Sequence, residues 1–231
     1  MSTTFEHRLL IGSRGWQHAG WQDSFYPDDL PPEWRLTYYA NEFRVVLVPG
    51  ERLVDETLSA EGNPARWCED SDAGFRFVCE TPPGLNTPAD ADAFLERIAP
   101  FGERCVGIRY VPGAEVLNRR DELDVLLERL ASHRAVSVDL AEPPAEGVEA
   151  ILTAHRCGRC WHGPPASAEF GHGGLALTVI PSPMADLRAL RAVVETCLAA
   201  STRERISVLV FDGSPPSVET IEQAGTIADL L

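Results

Sequence analysis

Lysine is absent from the 231-residue sequence: all twenty basic residues are arginine. That absence excludes Schiff-base catalysis, the phosphate-cradling lysine of a P-loop and a lysine linkage to pyridoxal phosphate. Net positive charge is missing too. Thirty-five acidic residues leave a formal charge of −15, and no local basic patch overrides it. Phosphate backbones and anionic lipid are repelled by such a chain, so no nucleic acid and no membrane are expected as partners. No stretch approaches the ~18 apolar residues of a membrane span. The N-terminus "MSTTFEHRLLIGS" lacks the basic start and long apolar run of a signal peptide. The expectation is a soluble, cytoplasmic protein. Its six cysteines, at 68, 79, 105, 157, 160 and 197, mostly sit inside apolar runs and imply no disulfides in a chain of this size. Gly-x-Ser-x-Gly, a dinucleotide fingerprint and a His-x-x-x-His helix are all missing, and no cofactor is implied.

What is present is a regular beat of apolar runs, each followed by a turn and a segment of helical period. Eight strand candidates result: "RLLIGS", "RVVLV", "FRFVCE", "CVGIRYV", "AVSVDL", "RCWHG", "LALTVI" and "ISVLVFDG". They are continuously apolar, as strands buried on both faces of a parallel sheet are. Among the helices, Thr87 is placed to cap with Pro88 first and Asp90 three residues on. Leu123, Leu126, Leu127 and Leu130 make one stripe, and Ser182-Pro183 and Ser214-Pro215 are expected to open helices. Eight βα units without a linker predict one α/β domain over residues 1–231, a compact (β/α)8 TIM-type barrel of parallel strands. A doubly wound open sheet is the competing outcome. Strands two and six carry the weakest signals, and the Gly/Pro/Ala-rich segment 163–174 is expected to be irregular.

The stretch "IGSRGWQHAGWQDSFYPDDLPPEWRLTYYANEF" resembles the start of the YecE-like family, a domain of unknown function. Gly12, Gly15, Trp16, Trp21, Phe25, Tyr26 and Pro27 match its Gly-x-x-Gly-Trp, second Trp and Phe-Tyr-Pro. The resemblance implies a TIM-type barrel and no particular reaction. Most of the polar residues usual in the family are replaced here. "VVLVPGERL" stands after strand two, Glu80 ends strand three, "IRYVPG" and "VDLAEPP" follow strands four and five, "LTVIPSP" marks strand seven, and Asp212-Gly213 ends strand eight.

At strand ends, where barrel enzymes place their sites, stand Arg14, Glu80, Arg109, Asp139, His162 and Asp212. Three uses are open. Glu80, Asp139, His162 and Asp212 offer oxygen and imidazole ligands for a divalent metal, as in a hydrolase or sugar isomerase. Arg14 and Arg109 could fork a small anionic or polar molecule beside helices starting at Ser182 and Ser214. Otherwise each arginine is paired with Asp139 or Asp212 and holds no ligand. Trp16, Trp21 and Tyr26 either wall the mouth as an aromatic lid or pack the first loop onto the first helix. Cys157 and Cys160 have C-x-x-C spacing beside His155 and His162, but without a second pair they are expected to be reduced and metal-free. His172 falls in a glycine-rich loop. The leading expectation is a divergent YecE-like barrel that binds a small molecule or is otherwise non-enzymatic.

Overall fold

The computed structural model describes residues 9–54, 63–140 and 146–231. The N-terminal segment 1–8, which carries the start of the first run, lies outside them, as does much of the acidic stretch after strand two. Eight parallel strands run β1 Leu10–Arg14, β2 Val45–Val48, β3 Arg76–Glu80, β4 Cys105–Tyr110, β5 Val136–Val138, β6 Gly158–Arg159, β7 Leu175–Pro181 and β8 Ile206–Asp212. Their order is β6-β5-β4-β3-β2-β1-β8-β7. The ring is completed by a single parallel bridge between Trp161 and Thr178. There Trp161 N–H donates to Leu177 O at 3.0 Å and Val179 N–H to Trp161 O at 2.8 Å. The expected (β/α)8 barrel is therefore formed, with the sixth strand reduced to two residues and segment 163–174 irregular.

Unbroken apolar strands are explained by two buried layers. Val45 and Leu47 join Leu10, Val78, Leu177 and Val210 inside the barrel. Val46 and Val48, one residue out of phase, face the helices. Small branched side chains fill an interior too narrow for a pore. The outer ring begins with α1 Arg35–Glu42, α2 Gly50–Val54 and α3 Pro64–Glu69, and continues with α4 Pro88–Ile98, α5 Ala114–Asn118 and α6 Arg120–Ala131. It ends with α7 Glu146–Ala154, α8 Leu187–Ala200 and α9 Val218–Asp229. No helix among the described residues is long and apolar enough to cross a membrane. Thr87 and Asp90 make the reciprocal capping box of α4, and the four-leucine stripe of α6 is wholly buried.

Two helix starts differ from expectation. Asp186 caps α8 and Ser217 caps α9, each accepting a backbone N–H from inside its helix. Ser182-Pro183 and Ser214-Pro215 are cis peptides in the preceding loops. Ser182 is already engaged: its N–H donates to Asp212 O at 2.7 Å, and its hydroxyl accepts Ser217 N–H at 2.8 Å. A serine committed between β8 and α9 is not available to cap its own helix.

Gly12 sets the spacing of β1 and β2. A Cβ there would lie 1.9 Å from Val45 O and 2.8 Å from Tyr39 Oη. The Tyr39 hydroxyl accepts Ser13 N–H at 2.8 Å and donates to Val45 O at 3.0 Å. Gly12→Ala is expected to destabilise by about 3 kcal/mol through overpacking against backbone, a fall of roughly 6–12 °C in Tm for a domain of this size. Calorimetry checks this, and a variant as stable as the parent would show that the two strands can part.

Candidate functional site

Register brings the strand-end charges together. Glu80 stands opposite Arg109 across β3 and β4. Arg109 stands opposite Ser137 on β5, so Asp139, two residues further on, shares its face. Arg14 closes β1, and His162 follows β6. All five lie at the C-terminal mouth of the barrel. Glu80 takes Arg14 Nη2 on Oε1 at 2.6 Å and Arg14 Nε on Oε2 at 3.1 Å. It also takes Arg109 Nη1 on Oε2 at 2.6 Å. Arg109 turns its other edge to Asp139, with Nε and Nη2 at 2.8 and 2.5 Å from Oδ2. Asp139 Oδ1 meets His162 Nε2 at 2.7 Å, and His162 Nδ1 lies 3.1 Å from Val179 O. At the other end Arg14 Nη2 reaches Glu51 Oε2 at 3.0 Å.

The centre of this chain is shielded from water and its ends are not. Side-chain exposure is 8% for Glu80, 11% for Arg109 and 10% for Asp139, against 44% for His162 and 58% for Glu51. Burial acts to raise the Glu80 carboxyl, but the Arg14 hydrogen bond and the Arg109 and Arg14 charges outweigh it and hold the group below its ordinary value. Burial is likewise overcome at Asp139, by the His162 hydrogen bond and by Arg109. The Asp139 hydrogen bond raises His162, against burial. Both carboxylates are thereby kept ionised.

Asp212 ends β8 half-buried across the mouth. Its charge reaches Arg14 and His18, and its side chain makes no hydrogen bond among the described residues. The pairing of Arg109 follows the Asp139 alternative and not the Asp212 one. Arg14 and Arg109 are both engaged by carboxylates, and α8 and α9 begin at Asp186 and Ser217, not at Ser182 and Ser214. Trp16, Trp21 and Tyr26 are each at most 2% exposed. Trp16 meets Trp67 edge-on at 5.0 Å, Trp21 Nε1 donates to Pro216 O at 2.8 Å, and Tyr26 Oη donates to Trp16 O at 2.5 Å. The three rings fasten the first loop to its neighbours and leave no open wall.

The C-x-x-C pair flanks the two-residue β6 and is divided between two layers. Cys157 belongs to the layer under the helices, whereas Cys160 packs against the barrel interior. Cys160 therefore lies away from Cys157 and on the side of His162. Asp139, Cys160 and His162 bring a carboxylate oxygen, a thiol and a ring nitrogen within 4.8 Å of one another. His155 instead pairs with Asp124 on α6 at 2.8 Å, and His172 is exposed. The sequence set Cys160 beside both Cys157 and His162; the structure brings it near His162 and Asp139 and packs Cys157 in the other layer. The signal for it was the alternate spacing Cys160-x-His162.

A barrel with a charged C-terminal mouth is compatible with many functions, so likeness to known proteins matters here. The family model described as "Protein of unknown function DUF72" matches residues 10–193. The chain belongs to the DUF72 family. YecE-like is another name for the same family, so the resemblance carried by the first loop is confirmed. Two solved DUF72 proteins share the fold of this DUF72 chain over nearly its whole length. One, from Thermotoga maritima, is 16% identical with a TM-score of 0.69, covering 97% of this chain and 99% of its own. The other, from Enterococcus faecalis, is 12% identical with a TM-score of 0.59, covering 98% of each. No curated protein matches the sequence.

The buried centre of the DUF72 mouth carries a direct energetic consequence. Arg109→Ala would take one of two charged partners from each of two shielded carboxylates, leaving Glu80 to Arg14 and Asp139 to His162, and is expected to cost about 3 kcal/mol, or roughly 6–12 °C of Tm. Adding Glu80→Gln and Asp139→Asn should restore part of the loss, since no under-compensated carboxylate is then buried. Denaturant unfolding of the single and triple variants tests both statements. An Arg109→Ala protein within about 0.5 kcal/mol of the parent, the range of ordinary surface changes, would mean that the pairing is energetically idle.

Proposed function

We propose that this DUF72 barrel binds a small polar molecule at its C-terminal mouth and breaks no bond by acid–base catalysis of its own. The observation that carries the reading is the ion chain drawn from the ends of β1, β3 and β4 and from the residues after β5 and β6. Burying such pairs costs desolvation, and apolar replacements of the same volume are often as stable or more so. A polar mouth maintained against that cost is best accounted for by a ligand.

The charges also select the ligand. Arg14, Arg109 and His162, whose two ring nitrogens both face acceptors, stand among Glu51, Glu80, Asp139 and Asp212, three positive against four negative. A neutral hydroxyl-rich molecule or a cation fits this balance better than an anion. Glu51 is the most exposed member and the replaceable partner of Arg14, so a ligand hydroxyl could take its place there while Asp212 accepts from the other side. General acid–base chemistry is disfavoured because both carboxylates are held ionised by guanidinium groups and both His162 nitrogens are engaged. Six unpaired cysteines fit a reducing cytoplasm as the setting.

Thermal shift against neutral polyols, small amines and small anions tests the reading. A ligand at 100 times its Kd stabilises by about 2.7 kcal/mol, which here is roughly 5–11 °C. The shift should come from the first two classes and be lost with Asp212→Asn. Stabilisation by anions alone, unaffected by that substitution, contradicts the proposal.

A further inference from the structure

Three groups at the mouth do more than complete an ion chain. Asp139, Cys160 and His162 offer one oxygen, one sulfur and one nitrogen within 4.8 Å, the donor set that borderline-soft divalent ions of the zinc type prefer. We infer that these three residues hold one such cation, with a fourth position open toward solvent on the His162 side. The inference deepens the proposal above, since the ion would sit in the same mouth and present its open position to the polar ligand.

The surroundings of the three groups favour a metal over the main alternative, a thiol nucleophile served by histidine and aspartate. For that role one ring nitrogen of His162 must face the sulfur and take its proton. Here Nε2 faces Asp139 Oδ1 at 2.7 Å and Nδ1 faces Val179 O at 3.1 Å, so neither nitrogen serves Cys160. For a metal the same contacts are an advantage. The Val179 carbonyl fixes the ring through Nδ1 and leaves Nε2 to coordinate. Arg109 holds Asp139 through Oδ2 at 2.8 and 2.5 Å and leaves Oδ1 to coordinate. Outer partners of this kind orient metal ligands and tune their affinity.

Bonds of about 2.0–2.3 Å place tetrahedral ligand atoms roughly 3.3–3.8 Å apart. The 2.7 Å contact between Asp139 and His162 would therefore open by about 1 Å to admit the ion, a shift that half-exposed His162 can make. The charges also close. On binding, the Cys160 thiol and any proton on His162 Nε2 are released to solvent. Thiolate and carboxylate then neutralise the two charges of the ion, and Arg109 keeps Glu80 as its partner at 2.6 Å. Cys157 has no part in this, because it lies on the outer side of the barrel wall.

The test uses the full chain, stripped with a chelator, dialysed and titrated with Co(II), then with Zn(II) in competition. One ion per chain is expected, with a sulfur-to-cobalt charge-transfer band in the near ultraviolet. Cys160→Ser should abolish the band, and His162→Ala and Asp139→Asn should each weaken binding at least roughly tenfold, as loss of a ligand exceeds loss of an outer partner. Cys157→Ser should behave as the parent. A folded parent protein that gives no band overturns the inference without recourse to any variant, and so does a band that survives Cys160→Ser. Circular dichroism of each variant separates lost ligation from lost folding. Repeating the polyol and amine thermal shifts on chelated protein distinguishes the two readings. Shifts that persist there with no cobalt band would sink the metal and leave the polar-ligand mouth standing.

Discussion

The mouth of this barrel is organised around one carboxylate, that of Glu80, held between two guanidinium groups. From it the charges alternate in both directions: Glu51, Arg14, Glu80, Arg109, Asp139, His162. Each buried member has an opposite charge on both sides, the condition under which desolvated ions are tolerable. The chain also crosses the barrel where the sheet is thinnest. β5 has three residues, β6 has two, and the seam between β6 and β7 is one bridge. His162, touching Asp139 after β5 and Val179 in β7, spans that sector with side-chain bonds where ladder bonds are few.

Arg14 is delivered to Glu80 by packing that begins well away from the charges. Gly12 lets β1 lie against β2, and the Tyr39 hydroxyl occupies the space beside it. Gly15 then turns the chain at a φ of +76°, a conformation that costs a residue with a side chain more. Trp21, bonded to Pro216 and ringed by His18, Phe25, Tyr26 and Tyr39, ties the first loop to the last one before α9. The glycines and aromatics of this loop thus serve the site indirectly. They fix the direction in which the last residue of β1 leaves the sheet.

The barrel itself was legible because its signals are local: apolar runs, a capping box at Thr87, and a sixth strand already weak in composition. The strand-end residues were legible as positions and not as partners. Which arginine meets which acid depends on register, and β3 and β4 shift register between Phe77 and Val78, a displacement that leaves no mark on either run. Ser182-Pro183 and Ser214-Pro215 carry the residues of a helix start, yet Ser182 is drawn into a bond with Ser217, thirty-five positions away. Cys157 and Cys160 look like a pair because they are near in sequence. They flank β6 and pack in different layers, Cys157 under the helices and Cys160 against the barrel interior, where Cys160 comes near His162 and near Asp139, which follows β5.

The missing lysine acquires a meaning at this site. Arg109 uses three nitrogens for two acids, Nε and Nη2 on Asp139 and Nη1 on Glu80. Arg14 uses Nε and Nη2 on Glu80 while Nη2 also reaches Glu51. A planar fork holds these directions at once, whereas an ammonium group is a single point on a flexible stem that hydrates strongly and loses its proton more readily when buried. In a chain so acidic, a mouth lined by carboxylates needs cations that remain charged out of water and that set the orientation of each acid they touch. Such oriented acids direct each oxygen to its own partner, as Asp139 gives Oδ2 to Arg109 and Oδ1 to His162. The directions of the guanidinium forks thus fix the orientation of every buried acid in the network.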